Sequence, residues 1–310
     1  MISRRLFLAS SAALAAVSTS ACGRGSASKR FAITMDDFNL NTAGRQTIEA
    51  RNQGILEAMA AHNHKGAGLV TGSFVNNEQG RAVIKSWLDA GHIIGNHTYT
   101  HQHARDLSAE DYIADIEKNT VFLSGIDAAR AKLFRFPFLD EGGELEKRNT
   151  IRQYLNANDY LNAAVTLDTM DWYIAQRMDD RLMASPDADL TGYRDYYLAS
   201  ALKLAEYYNA VAADIGRAGT PHTMLVHHNE LNGLFLGDLL AHFKANGWEL
   251  MNADTVFENS LFRVQPASLN KGRSILSVME QEAAAIEKME RRHWPIAAEF
   301  GKADMDALGL

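Results

Sequence analysis

The sequence predicts an α/β fold whose parallel strands form a sheet or barrel. Three observations carry this. From Arg30 onward, short apolar runs alternate with amphipathic stretches, the pattern of strand–helix repetition. Polar residues with catalytic chemistry stand directly after several of those apolar runs. In parallel α/β folds that is the end of the strand where ligands bind. Beyond the first 30 residues there is no repeat or low-complexity linker.

The elements follow in order. "FAITM" (31–35) reads as a buried strand running into Asp36, and 47–62 as a helix with Ile48, Ile55, Leu56 and Met59 on one face. Residues 66–72 read as a second strand, 81–91 as a helix stopped by Gly91, and 92–96 as a third strand. Ser108, three residues before Asp111, caps the next helix in a variant of the capping box. "AKLFRF" (131–136) is a fourth strand before Pro137, 144–156 a helix, and "NAAVTL" (162–167) a fifth strand. One long helix fits 190–216, then strand 223–228, a helix ending near Gly247 and a last strand 248–252. The tail 274–293 is amphipathic and is expected to pack on the domain or on a partner subunit, without a chemical role.

The first 22 residues read as an address rather than as fold. Arg4 and Arg5 precede an apolar run, Leu6 to Val17, that falls short of the roughly 20 residues a bilayer span needs. "SRRLFL" resembles the twin-arginine export signal. Cys22, the only cysteine, follows "TSA" and resembles a lipoprotein processing site, with ordinary cleavage after Ala21 as the alternative. A single cysteine excludes an intrachain disulfide. The expected organisation is a signal peptide at 1–22, a tether at 23–30, a catalytic domain at 31–260 and a helical extension at 261–310. The expected location is outside the cytoplasm, periplasmic or membrane-anchored, with membrane contact only through a lipid on Cys22.

The chain has 310 residues, 46% hydrophobic and 22% charged, and a net charge of −7 with no basic block. That composition suits a globular core and disfavours a nucleic-acid partner, which needs clustered positive charge.

The chemistry concentrates at the strand ends: Asp36 and Asp37 after the first strand, His97 and His101 after the third, and Arg135 in the fourth. Asp171 and Trp172 follow the fifth, and His227 and His228 end the sixth. Alone, each has an ordinary explanation: solvated turn carboxylates, surface or capping histidines, a surface ion pair. Their recurrence at the same end of successive strands is what points to a site.

At this point the chain resembles the polysaccharide deacetylase family, the NodB-homology carbohydrate esterases. The resemblance rests on "TMDDF" (34–38), "HTYTH" (97–101), "RFPF" (135–138), "LDTMDW" (167–172) and "LVHH" (225–228). It implies a distorted (β/α) barrel, here with a C-terminal helical tail. It also implies one divalent metal held by Asp37, His97 and His101, zinc first, with cobalt or nickel also suited to that donor set. Asp36 would be the general base, oriented by Arg135, and His227 the general acid, tuned by Asp171. The backbone N–H of Phe138 would meet the developing oxyanion, and Trp172 and Leu225 would wall an acetyl pocket. His103 stays outside the ligand set. Two positions depart from the family: Phe38 replaces a usual Gly and is expected to narrow or reshape the groove, and His228 replaces a frequent Asp.

The expected function is removal of N-acetyl groups from an amino-sugar polymer or oligomer. The alternatives are deacylation of an O-acetyl glycan, a formamide or a cyclic amide on the same barrel, and a catalytically silent glycan-binding lipoprotein. Retention of Asp36 speaks for an enzyme, since binding alone needs no base.

Overall fold

A computed structural model describes residues 28–41, 44–126, 132–287, 289–296 and 298–310. The expected signal peptide, Cys22 and most of the tether lie outside the described residues.

Among the described residues the strands are β1 (Lys29–Asp36), β2 (Ala67–Val70), β3 (Ile93–Asn96), β4 (Leu133–Phe134), β5 (Leu161–Asn162), β6 (Leu167–Asp168), β7 (His222–His227) and β8 (Trp248–Leu250). The α-helices are α1 (Ile48–Ala61), α2 (Glu78–Asp89), α3 (Ala109–Ser124), α4 (Leu145–Ala157), α5 (Asp171–Ala184), α6 (Thr191–Asp214), α7 (Glu230–Ala245), α8 (Ala253–Phe257), α9 (Ile275–Glu287) and α10 (Ala298–Leu308). All strand pairs are parallel, in the order β5-β4-β3-β2-β1-β7-β6, with β8 on the first residues of β1.

β1 is central, and its apolar run is its cause: Phe31, Ala32, Ile33 and Met35 have no exposed surface. Each such large side chain contributes about 1.5–3 kcal/mol on leaving water. Side-chain caps start the helices where a polar residue precedes the amphipathic stretch. Thr47, Asn77, Ser108 and Asn229 each accept a backbone N–H from three residues on, satisfying donors that a helix start leaves open.

The fifth strand departs from expectation. Residues 162–167 form no continuous strand; β5 and β6 are separated by Ala163–Thr166. The reason is topological. Ala163 N–H donates to Phe134 O (2.7 Å) at one sheet edge, and Thr166 N–H to Thr223 O (3.3 Å) at the other. This short segment therefore crosses between the two edges, and no straight strand can pair with both. Among the described residues β5 and β6 are not paired, so the barrel is distorted and open at this seam.

The tail supplies what the seam lacks. Ile275 N–H donates to Val165 O (2.8 Å) and Ser274 Oγ to Thr166 O (2.9 Å), while Leu276 and Val278 are fully buried. Upstream, the Arg148 guanidinium donates to Ala267 O (2.6 Å) and Ser268 O (3.1 Å). The C-terminal segment thus packs on the domain and covers backbone groups that would otherwise be costly to bury. α5 and α8 lack an expected counterpart in the sequence reading; α5 begins at Asp171 itself.

Candidate active site and metal centre

Successive residues in a strand point to opposite faces, yet Asp36 and Asp37 both reach the same site. The backbone explains this. Asp36 ends β1, and Asp37 takes a left-handed conformation (φ 55°) that turns its side chain back over the strand end.

His97 and His101 are brought together by a turn rather than by a helix. Thr98 (φ 61°) and His101 (φ 58°) are both left-handed. Asp115 on α3 fixes the turn, accepting from Tyr99 N–H (3.1 Å), Thr100 N–H (2.9 Å) and Thr100 Oγ1 (2.9 Å). Asn96, at the end of β3, accepts from Thr98 N–H (2.9 Å). His97 Nδ1 lies 2.9 Å from Arg135 O, which sets the ring so that Nε2 faces the carboxylates.

Asp37, His97 and His101 place one donor atom each within 4.8 Å of the others. His97 Nε2 and His101 Nε2 stand 3.6 and 3.0 Å from Asp37 Oδ1. That oxygen is buried with no hydrogen-bond partner, so three lone-pair donors converge without satisfying one another. A divalent cation fits this set: two imidazoles and one carboxylate, leaving room for water and substrate.

Arg135 is buried, with every guanidinium nitrogen occupied. Nη1 donates to Asp36 Oδ1 (2.6 Å), Nη2 to Thr34 Oγ1 (2.9 Å) and Nε to Ala163 O (2.7 Å). The other carboxylate oxygen of Asp36 stands 3.6 Å from His97 Nε2. Arg135 therefore fixes one face of Asp36 and leaves the other toward the metal centre.

His227 is the register partner of Asp36 on the neighbouring strand. Its Nδ1 lies 2.8 Å from Asp171 Oδ1, and its N–H donates to Asp171 Oδ2 (2.8 Å). Burial alone would lower its pKa, but the Asp171 charge and hydrogen bond, with Asp37 and Asp36 beyond, raise it to about 10. The pair with Asp171 therefore favours the charged imidazole. Asp171 also accepts from Asn229 Nδ2 (3.0 Å) and Asn232 Nδ2 (2.8 Å), and Tyr197 OH donates to Asn232 Oδ1 (2.7 Å). These amides carry no catalytic signature in the sequence, because an Asn in or beside a helical run is ordinary; Tyr197 is fully buried and supports Asn232.

Phe138 has φ 56° and is 46% exposed as a residue. Its ring stacks on His103 (3.7 Å, 14°) and lies edgewise to His101 (4.5 Å). Trp172, in the first turn of α5, is partly exposed, and Leu225 is buried in β7. Phe74, which belongs to none of the sequence motifs, is partly exposed 5.5 Å from the His101 ring. His103 pairs with Asp140 (3.2 Å) and is absent from the converging donor set.

Phe38 corrects an expectation. It is fully buried, packed on Trp87 (4.7 Å) and stacked on His228. It points into the core and does not shape the groove.

Residues 23–165 match the family model for polysaccharide deacetylase. A peptidoglycan-N-acetylglucosamine deacetylase of Bacillus cereus is 26% identical over 118 residues, 38% of this chain and 40% of that protein. The matched stretch thus spans well under half of that relative. Among solved structures, a mutant of the peptidoglycan deacetylase PdaC from Bacillus subtilis is 18% identical and superposes with a TM-score of 0.51, covering 84% of this chain and 96% of that one. The family 4 carbohydrate esterase domain of a multidomain xylanase from the hindgut metagenome of Trinervitermes trinervoides is 18% identical, with TM-score 0.51 and coverage of 81% and 98%. A family 4 pseudoenzyme from Bacillus anthracis is 17% identical, with TM-score 0.52 and coverage of 74% and 66%. At such identities these structures share the fold. Asp36, Asp37, His97, His101, Arg135 and Phe138 all lie within residues 23–165, the stretch that matches the polysaccharide deacetylase model.

Proposed function

We propose that the protein is a metal-dependent hydrolase that removes N-acetyl groups from an amino-sugar polymer or oligomer outside the cytoplasm. One observation carries this reading. A converging Asp–His–His set lies between an oriented carboxylate, Asp36 on Arg135, and a charged imidazole, His227 on Asp171.

Asp37, His97 and His101 would hold a divalent metal, zinc being the first expectation, which when bound would lower the pKa of a water and polarise an acyl oxygen. Asp36, held by Arg135 through one oxygen, accepts a proton from the attacking water with the other. The N–H of Phe138 donates to the oxygen on which negative charge develops. His227, charged through Asp171, donates its Nε2 proton to the leaving amine, which departs neutral. Base and acid stand side by side on β1 and β7, so one acyl group can meet both. Trp172 and Leu225 are assigned to the acetyl methyl group. Asp36, a group that binding alone does not need, favours an enzyme over a silent glycan-binding protein.

Export is proposed from the N-terminal sequence: residues 1–22 direct the chain out of the cytoplasm, with a lipid on Cys22. The mass of the mature N-terminus distinguishes a lipidated Cys22 from cleavage after Ala21.

The functional test strips metal from the purified protein and adds back zinc, cobalt or nickel. Acetate and product mass are read from N-acetylglucosamine oligomers, peptidoglycan fragments and acetylated xylan. Metal-dependent acetate release from an amino sugar, lost in Asp36→Asn, is the expected result. Release from xylan alone would move the reading to an ester substrate, and tight metal binding without any release would end the enzyme reading for this panel.

A further inference from the structure

Two consecutive non-glycine residues, Phe138 and Leu139, have positive φ (56° and 53°). L-residues avoid this region, and such strain persists only where the surroundings over-determine it. Here the surroundings centre on Asp140, a fully buried carboxylate.

Asp140 Oδ2 accepts from Arg105 Nε (2.6 Å) and stands 3.2 Å from His103 Nδ1; Oδ1 accepts from Gly142 N–H (3.1 Å). His103 in turn lies flat on the Phe138 ring. The far side of the loop is held by the C-terminal segment. Gly272 N–H donates to Leu139 O (3.3 Å), Glu141 N–H to Asn270 O (3.1 Å), and Asp140 and Lys271 form an antiparallel bridge. Gly272 itself has φ +88°, and a Cβ there would lie 3.1 Å from Phe138 O. A side chain at 272 would be strained and would crowd the loop.

We propose that Asp140 is a positioning residue of the active site. Through His103 and Arg105, and with the strap 270–272 behind it, it holds the Phe138–Leu139 turn so that the Phe138 N–H stays aimed at the acyl oxygen. The proposal rests on the oxyanion role given to Phe138 above. It makes the C-terminal extension a support of the active site, acting through the loop it holds. A displaced donor costs turnover more than binding, because its hydrogen bond matters most in the transition state.

The test compares the metal-loaded full chain with Asp140→Asn, His103→Ala, the double variant, and the milder Arg105→Lys. Asp140→Asn keeps an oxygen for Gly142 N–H but turns an amide NH2 toward Arg105 and His103. Amide exchange by mass spectrometry is read over residues 136–142 and over β1, alongside zinc affinity, kcat and KM. Exchange over 136–142 is expected to accelerate about 10-fold or more in Asp140→Asn, with β1 and zinc affinity unchanged, as for a local opening. The kcat should fall about 10- to 100-fold with KM within about 3-fold. The double variant should lose no more than the worse single one, because both act through one chain of contacts. Unchanged exchange over 136–142 overturns the proposal whether or not the wild type releases acetate. So do an unchanged kcat in a loosened loop and losses that multiply in the double variant. Should Asp140→Asn unfold, Arg105→Lys decides by the same readings. A wild type that releases no acetate defeats the deacetylase reading instead.

Discussion

The ring of Phe38 lies flat against the imidazole of His228, 5.0 Å between centroids and 18° between planes. These are the two positions at which the motifs set out above differ from the pattern they resemble, and they form a single packed pair. Gly68 makes space for it: a Cβ there would come within 2.7 Å of Phe38 Cζ. His228 is anchored to Asn52 Oδ1 (3.3 Å), which also accepts from Trp87 Nε1 (2.8 Å). Burial and the nearby Arg51 charge hold the His228 pKa down at about 3. A buried imidazole that stays neutral is thus accommodated between the Phe38 ring and the Asn52 amide.

It follows that Phe38→Gly destabilises the fold without widening the substrate range. The loss should be about 3–5 kcal/mol, the range for deleting a buried Phe side chain. Urea denaturation at saturating zinc measures it, with acetate release on the same panel as control. A gain of new substrates at unchanged stability would contradict this placement.

Asp36→Asn should lower kcat by about 100-fold or more, the usual scale for losing a general base. The amide still accepts from Arg135, so the fold and zinc content should hold. Kinetics with metal analysis of the same preparation checks both.

Asp171→Asn removes the charge that keeps His227 protonated. The folded pKa of about 10 should move toward the ordinary histidine value of about 6.5. Stabilisation from the pair is present below the unfolded pKa and is lost as pH rises through about 10. Accordingly, the alkaline limb of kcat should move to lower pH in the variant. The pH–rate profile, with the imidazole shift followed by NMR, reports this directly.

Acid should destabilise the protein well above the carboxylate range. Burial holds His64 at about 3 and His92 and His222 at about 4. His64 Nε2 and His92 Nδ1 accept from the N–H groups of Ile33 and Gly66, bonds that a protonated ring cannot make. Their contribution is intact above the unfolded value near 6.5 and is lost as pH falls toward the folded values. Each can cost at most about 1.4 kcal/mol per pH unit in that window. Denaturation midpoints at pH 7, 6 and 5 test it, and a flat profile would exclude these rings as the cause.

Zinc should raise the melting temperature of the stripped protein, since a ligand that binds only the folded state stabilises it. About 2.7 kcal/mol is expected at a hundredfold excess over Kd. His101→Ala should abolish most of that shift. Calorimetry with and without a chelator gives the comparison.

The sequence by itself determined the strand–helix alternation, because burial on both faces leaves each parallel strand a nearly unbroken apolar run such as 31–35. It also marked the motif residues, because catalytic polar groups have to stand just past such runs. What it could not determine depends on contacts far apart in the chain. The split of 162–167 into β5 and β6 follows from which two edges that segment joins. The side chain of Phe38 turns into the core because of the left-handed turn at Asp37 and the space left by Gly68. The link from Asp140 to the strap 270–272 pairs residues about 130 positions apart, and no periodicity encodes such a contact. Local pattern fixes where a chain is buried and where its chemistry stands; only the closed tertiary packing decides which way each of those side chains faces.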